Sequence, residues 1–368
     1  MPIYSSIDTV LTKLKSKLDI REKPNKIKVS VLYACNTSGK TRLSKLFKEQ
    51  YEEEVLCYNA FMEDFFHWDN ENLILKIDKN SWLSRLIREE GLDGQIVDNF
   101  KKLMNSKIEP SFNLEEGEIT FGNFTGDSES VENIKVSRGE ESLFIWSIFY
   151  TILRLVIATL REDEAERSTH YFDNIKYVVI DDPVSSMDDT RIITVALELI
   201  ELINQMVGSA NKLKILITTH HCLFYNILHS EKISEWHKQN YILSKTENNE
   251  YSLEPQNSDS PFAYHNLIFS EIRKAVAEDS IQKYHFNLFR ALLEKTANFL
   301  GYTKKWDCLL DDSENKDKLT KLLNLYSHNS LSEIEAKQIQ PEDLTIFKDA
   351  FKAFIEKFHW SCAENEQN

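Results

Sequence analysis

The chain has 368 residues with a globular composition, 42% hydrophobic and 11% aromatic, which excludes a disordered or fibrous protein and leaves room for one large domain or two ordinary ones. Its net charge of −15 excludes a broadly basic surface for non-specific nucleic-acid binding. Residues from Pro261 onward carry only −3 of that charge, leaving −12 for the rest, so an RNA partner fits the last third better, through a local basic site.

Five cysteines, Cys35, Cys57, Cys222, Cys308 and Cys362, form no C-x-x-C pair and no zinc-site spacing, and read as free thiols in a reducing compartment. No apolar run reads as long enough to span a bilayer. Residues 1–26 lack the compact apolar core of a signal peptide, because Ile7, Val10, Leu11, Leu14 and Leu18 are separated by polar residues. That spacing predicts an amphipathic helix, and the expectation is a cytoplasmic protein with no membrane partner.

Residues 27–33 read as a strand and Arg42–Tyr51 as a helix. Between them stands Ala34-Cys-Asn36-Thr37-Ser38-Gly39-Lys40-Thr41, the strand–loop–helix context of a P-loop. Backbone N–H groups of such a loop wrap phosphates, with the helix N-terminus adding positive potential. Lys40 would reach the β- and γ-phosphates and Thr41 would hold Mg²⁺. The usual first glycine is Ala34 here, a residue with less backbone freedom. Residues 55–150 mix aromatic and acidic stretches and give no clear elements, except that Glu141–Leu160 has a helical period through Phe144, Ile145, Ile148, Phe149, Ile152, Leu153 and Val156.

Just before that helix, Ser137-Arg-Gly139-Glu140 resembles the ABC signature, in which the Ser and Gly meet the γ-phosphate held by another protomer. It also reads as an ordinary capping box, Ser137 with Glu140. Tyr177–Ile180 is a short apolar run suited to a buried parallel strand. It ends in Asp181-Asp182-Pro183, followed by Ser185-Ser-Met-Asp188, and resembles a Walker B strand with its D-loop. Asp181 would bind Mg²⁺ through water. Asp182 stands where a glutamate is usual and would orient the attacking water. Thr190–Val207 reads as a helix, and Leu213–Thr218 as another buried strand leading to Thr219-His220, which resembles a switch histidine. Four motifs in this order resemble the ABC/SMC-type nucleotide-binding ATPases. The short gap between P-loop and signature leaves no room for a long coiled coil. The resemblance implies ATP or GTP with Mg²⁺, and a two-fold homodimer with nucleotide between protomers.

Turn residues in Glu254–Pro261 mark a boundary. The expectation is therefore an α/β P-loop domain over 1–255 and an all-helical domain over 256–368. In the latter, Arg290 and Glu294 share a helix face at i, i+4 spacing, and His328 lies on another element. These three types suffice for metal-free RNA cleavage. A carboxylate takes the 2′-OH proton, the 2′-oxygen attacks phosphorus, an imidazolium protonates the leaving 5′-oxygen, and an arginine fork meets the growing phosphoryl charge. Glu294 as base, His328 as acid and Arg290 as clamp is one assignment; Glu and His could exchange roles. The plain alternative is a surface ion pair beside a helix-start histidine.

Several stretches resemble the PrrC anticodon nuclease family over nearly the whole chain: Tyr58-Asn-Ala-Phe61 with Trp68-Asp-Asn70, Ser137–Glu141 with Phe144-Ile-Trp146, Ile180–Ser186, Thr218–His220, Phe262–His265, Tyr284–Tyr302 and Leu325–Leu331. The resemblance implies a toxin that cleaves a tRNA, most typically lysine tRNA, in the anticodon loop, silenced by a type I restriction–modification complex and released by phage. It puts the nuclease roles on Arg290, Glu294 and His328. The family's tRNA-recognition segment would fall on Gln256–Pro261, where this sequence departs from the pattern, with Asp259 the position carried over. Tyr264, His265, Tyr284 and His285 are further candidates for stacking on loop bases or for simple helix packing. Two other readings stand beside this one: a DNA-repair or overcoming-lysis-type ATPase working with a separate nuclease, and a regulatory module that holds nucleotide without turnover.

Overall fold

In the computed structural model, residues 3–20, 24–59, 65–104, 107–123, 133–209, 213–246, 248–256, 264–302, 306–310, 316–328 and 339–359 are described. The chain divides into two units, Met1–Pro261 and Phe262–Asn368.

The first unit is built on a seven-stranded sheet. Its strands are β1 (Ile3–Tyr4), β2 (Ile27–Ala34), β3 (Val55–Tyr58), β8 (Tyr177–Asp181), β9 (Lys214–Thr219), β10 (Trp236–Lys245) and β11 (Tyr251–Pro255), in the order β1-β11-β10-β2-β9-β8-β3. From β10 to β3 all neighbours run parallel; β11 and β1 add an antiparallel edge. Every residue of β2 and β8 is buried, as expected of strands covered on both faces. Helix α1 (Ile7–Leu18) lays its expected stripe, Ile7, Val10, Leu11, Leu14 and Leu18, on the sheet beside Leu43 and Phe47 of α2 (Lys40–Gln50). At the end of α1, Asp19 accepts from Lys15 (2.6 Å), Lys214 (2.5 Å) and Tyr177 (2.6 Å). Burial alone would raise its pKa, but these bonds hold it down at about 2 and fasten the helix to β8 and β9.

The stretch without clear elements in the sequence folds as a second, antiparallel sheet of order β4-β5-β7-β6, from β4 (Phe66–Asp69), β5 (Ile74–Ile77), β6 (Ile108–Asn113) and β7 (Glu118–Asn123). Between β5 and β6 come α3 (Trp82–Glu89) and α4 (Asp93–Met104). Helix α5 (Arg138–Arg161) packs against α4, and every residue from Leu143 to Leu153 is buried. Its period is therefore not that of a one-sided surface helix, because it is covered all round. The sequence reading that no run could span a bilayer is corrected here: α5 is long and apolar enough by length and composition, and 83% of that window is buried inside the protein, as in a core helix. Its hydroxyls are satisfied locally. Asn99 donates to Thr151 Oγ1 (2.8 Å), Thr151 to the Ser147 carbonyl and Ser147 to the Phe144 carbonyl. Phe144 is the aromatic hub, its ring 5.1–6.3 Å from those of Phe66, Phe100, Phe112 and Phe121. Then follow α6 (Asp189–Asn204) and α7 (Cys222–Ser230).

The described part of the second unit is helical: α8 (Tyr264–Ala277), α9 (Lys283–Phe299), a short 3-10 turn at Trp306–Leu310, α10 (Lys316–His328) and α11 (Pro341–Phe358). Phe286, Phe289, Leu292 and Leu293 of α9 meet Phe347, Phe351 and Phe354 of α11 in one apolar core.

Phe144→Ala is expected to lower stability by about 3–5 kcal/mol, since one side chain fills the space between helix and second sheet. Phe144→Leu should cost less. Denaturant midpoints of the two variants check this; equal midpoints to wild type would remove Phe144 from the core argument.

Candidate nucleotide and nuclease sites

Parallel pairing puts the ends of β2, β9 and β8 side by side. Leu32 pairs with Thr218, and Thr218 with Asp181, so the loops after all three strands leave at one level. This is the carboxyl edge at which open α/β sheets bind ligands. Ala34, the departure from the usual glycine, is still inside β2, paired with Leu243 and fully buried. The loop needs its left-handed residues later, at Thr37 (φ 70°) and Gly39 (φ 99°). The alanine therefore imposes no strain. Gly39 also caps α2, and a Cβ there would sit 3.3 Å from the Tyr251 ring. Asn36 and Thr37 form the exposed tip, Ser38 is buried with its N–H on the Cys35 carbonyl, and Thr41 lies in the first turn of α2.

Lys40 is buried, its ammonium on the Ala34 (3.0 Å) and Cys35 (3.3 Å) carbonyls and Asn36 Oδ1 (3.3 Å), and 3.7 Å from Asp182. Asp181 is 4% exposed. Thr218 donates to its Oδ1 (2.5 Å), Ser44 to its Oδ2 (3.2 Å), and Thr41 also bonds to it. Burial pushes its pKa up, against the pull of those hydroxyls. A buried carboxylate ringed by Thr and Ser hydroxyls is an all-oxygen donor set, which fits Mg²⁺. Asp182 takes a left-handed φ of 54°, a conformation Asp tolerates better than most residues. It accepts from Thr219 Oγ1 and the His220 N–H, both at 3.3 Å, and its other oxygen meets His220 Nδ1. Lys40, Asp181, Asp182 and His220 are thus brought together. Ser44, Thr218 and Thr219 complete the cluster; Ser44, one turn past Lys40, had a helical-spacing signal that sequence reasoning left unused.

Both readings of the signature hold locally. Ser137 caps α5 in a reciprocal box with Glu140. Gly139 meets the D-loop of its own chain: a Cβ there would lie 2.8 Å from the Ser186 carbonyl. Arg191 ties the two together, 3.9 Å from Glu140 and 3.4 Å from Asp188, which caps α6.

In the second unit, Arg290 Nε donates to Glu294 Oε1 at 2.9 Å. The guanidinium lies 5.6 Å from the Trp306 ring, a partner without a sequence signal. His328 is the last residue of α10, and its side chain lies outside the described residues, as do Asp259 and the side chains of Tyr264 and His265. His285 is corrected as a base-stacking candidate. It is 2% exposed, its Nδ1 accepts the Gln282 N–H (2.7 Å), and burial lowers its pKa, so it belongs to the start of α9. Tyr284 remains exposed and donates to Glu271.

A family model described as an AAA domain matches residues 86–356. An Escherichia coli protein named "Anticodon nuclease" is 41% identical over 350 residues, covering 87% of this chain and 86% of that one. Two solved structures are similar. One, from work on ATP-driven dimerization of SMC ATPases, is 14% identical with a TM-score of 0.32, covering 52% of this chain and 97% of its own. The other, an SMC head bound to a ScpA winged-helix domain, is 12% identical with a TM-score of 0.29, covering 47% of each chain.

Asp181→Asn is expected to separate stability from function. The folded pKa lies above the ordinary 3.8, so ionised Asp181 weakens the fold as pH rises through that value towards the folded one. The variant should melt a few degrees higher than wild type at pH 7, and the difference should shrink below pH 4. Melting curves at the two pH values check this; a variant less stable at pH 7 would contradict it.

Proposed function

Because the chain belongs to the anticodon nuclease family, we propose that it is a nucleotide-gated endoribonuclease that cuts a tRNA within the anticodon loop. The observation that carries the proposal is the Arg290–Glu294 pair, at 2.9 Å on α9, in a chain that also brings Lys40, Asp181, Asp182 and His220 together at one sheet edge. Lysine tRNA is the proposed substrate and a 2′,3′-cyclic phosphate with a 5′-OH the proposed product ends. The proposed setting is the cytoplasm, as an anti-phage toxin held by a type I restriction–modification complex.

The chemistry needs no metal at the nuclease site. Glu294 accepts the ribose 2′-OH proton, and the freed 2′-oxygen bonds to the adjacent phosphorus. The bond from phosphorus to the 5′-oxygen breaks, and His328 gives that oxygen its proton. Arg290, oriented by Glu294 and by Trp306, meets the charge on the phosphoryl oxygens. At the nucleotide site, Asn36 to Thr41 supply the phosphate cradle for ATP or GTP. Thr41 and Asp181 would hold Mg²⁺, which offsets phosphate charge when bound. Asp182 orients the water. With His220 Nδ1 engaged by Asp182, Nε2 is the atom left to meet a phosphate, as a donor only when the ring carries both protons. Ser137, Gly139 and Asp188 would complete the site of a second copy in a homodimer. The close approach of Gly139 to Ser186, with Arg191 reaching both Glu140 and Asp188, supports gating, because it couples signature and D-loop.

Glu294→Gln and His328→Ala should each cut tRNA cleavage by about 10²–10⁴-fold. Arg290→Lys should lose at least about tenfold, since a lysine cannot offer the fork. The measurement is sequencing of tRNA ends after expression in bacteria. New cyclic-phosphate ends in one anticodon loop, absent in the variants, are the expected result. Undiminished cleavage by both Glu294→Gln and His328→Ala would overturn the site.

A further inference from the structure

The first unit carries −12 of the charge, yet it holds a basic cavity that the nucleotide chemistry does not use. The cavity has a volume of about 830 Å³ and is lined where α1, the end of α7 and strands β10 and β11 meet. Four lysines, Lys13, Lys17, Lys232 and Lys238, line it, and among the described residues no carboxylate does. Lys13 and Lys232 are exposed at its rim. Lys238 lies deeper, its ammonium donating to the carbonyls of Leu228 and His229 (both 2.7 Å) and to that of Glu231. It closes the end of α7 and leaves a positive charge in the wall. Burial lowers its pKa to about 8, so a neighbouring anion would favour its charged form. Asn240 also lines the cavity, and its Oδ1 is buried without a hydrogen-bond partner among the described residues.

We infer that this cavity docks the sugar–phosphate backbone of the RNA substrate outside the loop that is cut. The inference rests on the proposed function. Lysines arrayed on two separate elements at an open rim suit a chain of phosphates. The carboxamide residue Asn240 in the lining suits a ribose 2′-OH, the group that separates RNA from DNA. A free mononucleotide is the weaker fit. Of the described rings in the lining, Tyr241 (7% exposed) and His229 (9% exposed) are packed into the core, which leaves the half-buried Tyr4 as the single ring for a base.

The test is the double variant Lys13→Glu/Lys17→Glu in the full chain, assayed with whole tRNA and with an isolated anticodon stem-loop. Neither residue belongs to the phosphate edge or the nuclease pair, so nucleotide hydrolysis should persist and report a folded protein. Each phosphate contact contributes roughly 0.7–0.9 to the salt slope of binding. The variant is expected to lose about 1.5 from that slope and to raise KM for whole tRNA about tenfold, with kcat unchanged. Cleavage of the stem-loop should not change. Lys232→Gln, on a different element, should weaken whole-tRNA binding in the same direction and guards against a local defect in α1. Wild-type protein that cleaves tRNA, with variants of unchanged KM and slope, overturns this inference and leaves the proposed function standing. Wild-type protein that neither binds nor cleaves tRNA sinks both. Variants that keep tRNA affinity but lose a bound nucleoside triphosphate, or that lose equal affinity for DNA of the same sequence, assign the cavity to another ligand and also overturn it.

Discussion

Parallel pairing of β2, β9 and β8 is the constraint on which the nucleotide site depends. Parallel strands need crossover connections, and their loops emerge together at one edge of the sheet. Lys40, more than a hundred positions before Asp181 and His220, therefore converges with them without a dedicated device. The same arrangement buries Asp181 at a strand end, where an isolated carboxylate is expensive. Thr218, Ser44 and Thr41 offset part of that cost with hydrogen bonds. Asp182 turns away into a left-handed conformation and collects Lys40, Thr219 and His220 instead. Two adjacent carboxylates thus acquire different surroundings, one dry and one half-open, which is the condition for different roles.

Helix α5 transmits this order to the far side of the unit. Its N-terminus is fixed to the D-loop by the close approach of Gly139 to Ser186 and by Arg191. Its body fills the core from Leu143 to Leu153, and Phe144 locks it to the second sheet. A displacement of the signature must therefore move a packed helix, and packed interiors resist small deformations in favour of discrete rearrangements. Under the proposed gating, that would make α5 a suitable lever for a nucleotide signal.

The elements that form the phosphate edge were legible in the sequence because each couples a local pattern to a chemical one. Ile27–Ala34 is a buried strand running into Gly39-Lys40-Thr41, and Tyr177–Asp181 is a buried strand running into an acidic turn. The second sheet was illegible because β4 and β5 have four residues each, and β6 contains Pro110 and alternates weakly. Strands so short are set by partners, and their pairing is visible only in three dimensions. The all-round burial of α5 was missed for a related reason. A helical period shows which face is apolar, while Ser147 and Thr151 become core residues only through hydrogen bonds inside the helix and to Asn99. The Arg290–Glu294 spacing was readable, but Trp306 beneath it was not, since nothing in a sequence announces a ring contact across a turn.

The energetics of the Arg290–Glu294 pair bear on how it could work. Glu294 is 45% exposed and Arg290 17%, so solvent screens their attraction and the pair contributes only about 0.2–1 kcal/mol. The position of α9 is held by the apolar contacts of Phe286, Phe289 and Leu293 with α11, which are worth several times more. The two side chains are thus presented by a rigid helix but bound to each other only weakly. In the proposed cleavage, where Glu294 accepts a proton and Arg290 turns to a phosphate, that combination is needed: a stronger pair would resist the exchange of partners, and a looser helix would lose the geometry that makes the exchange productive.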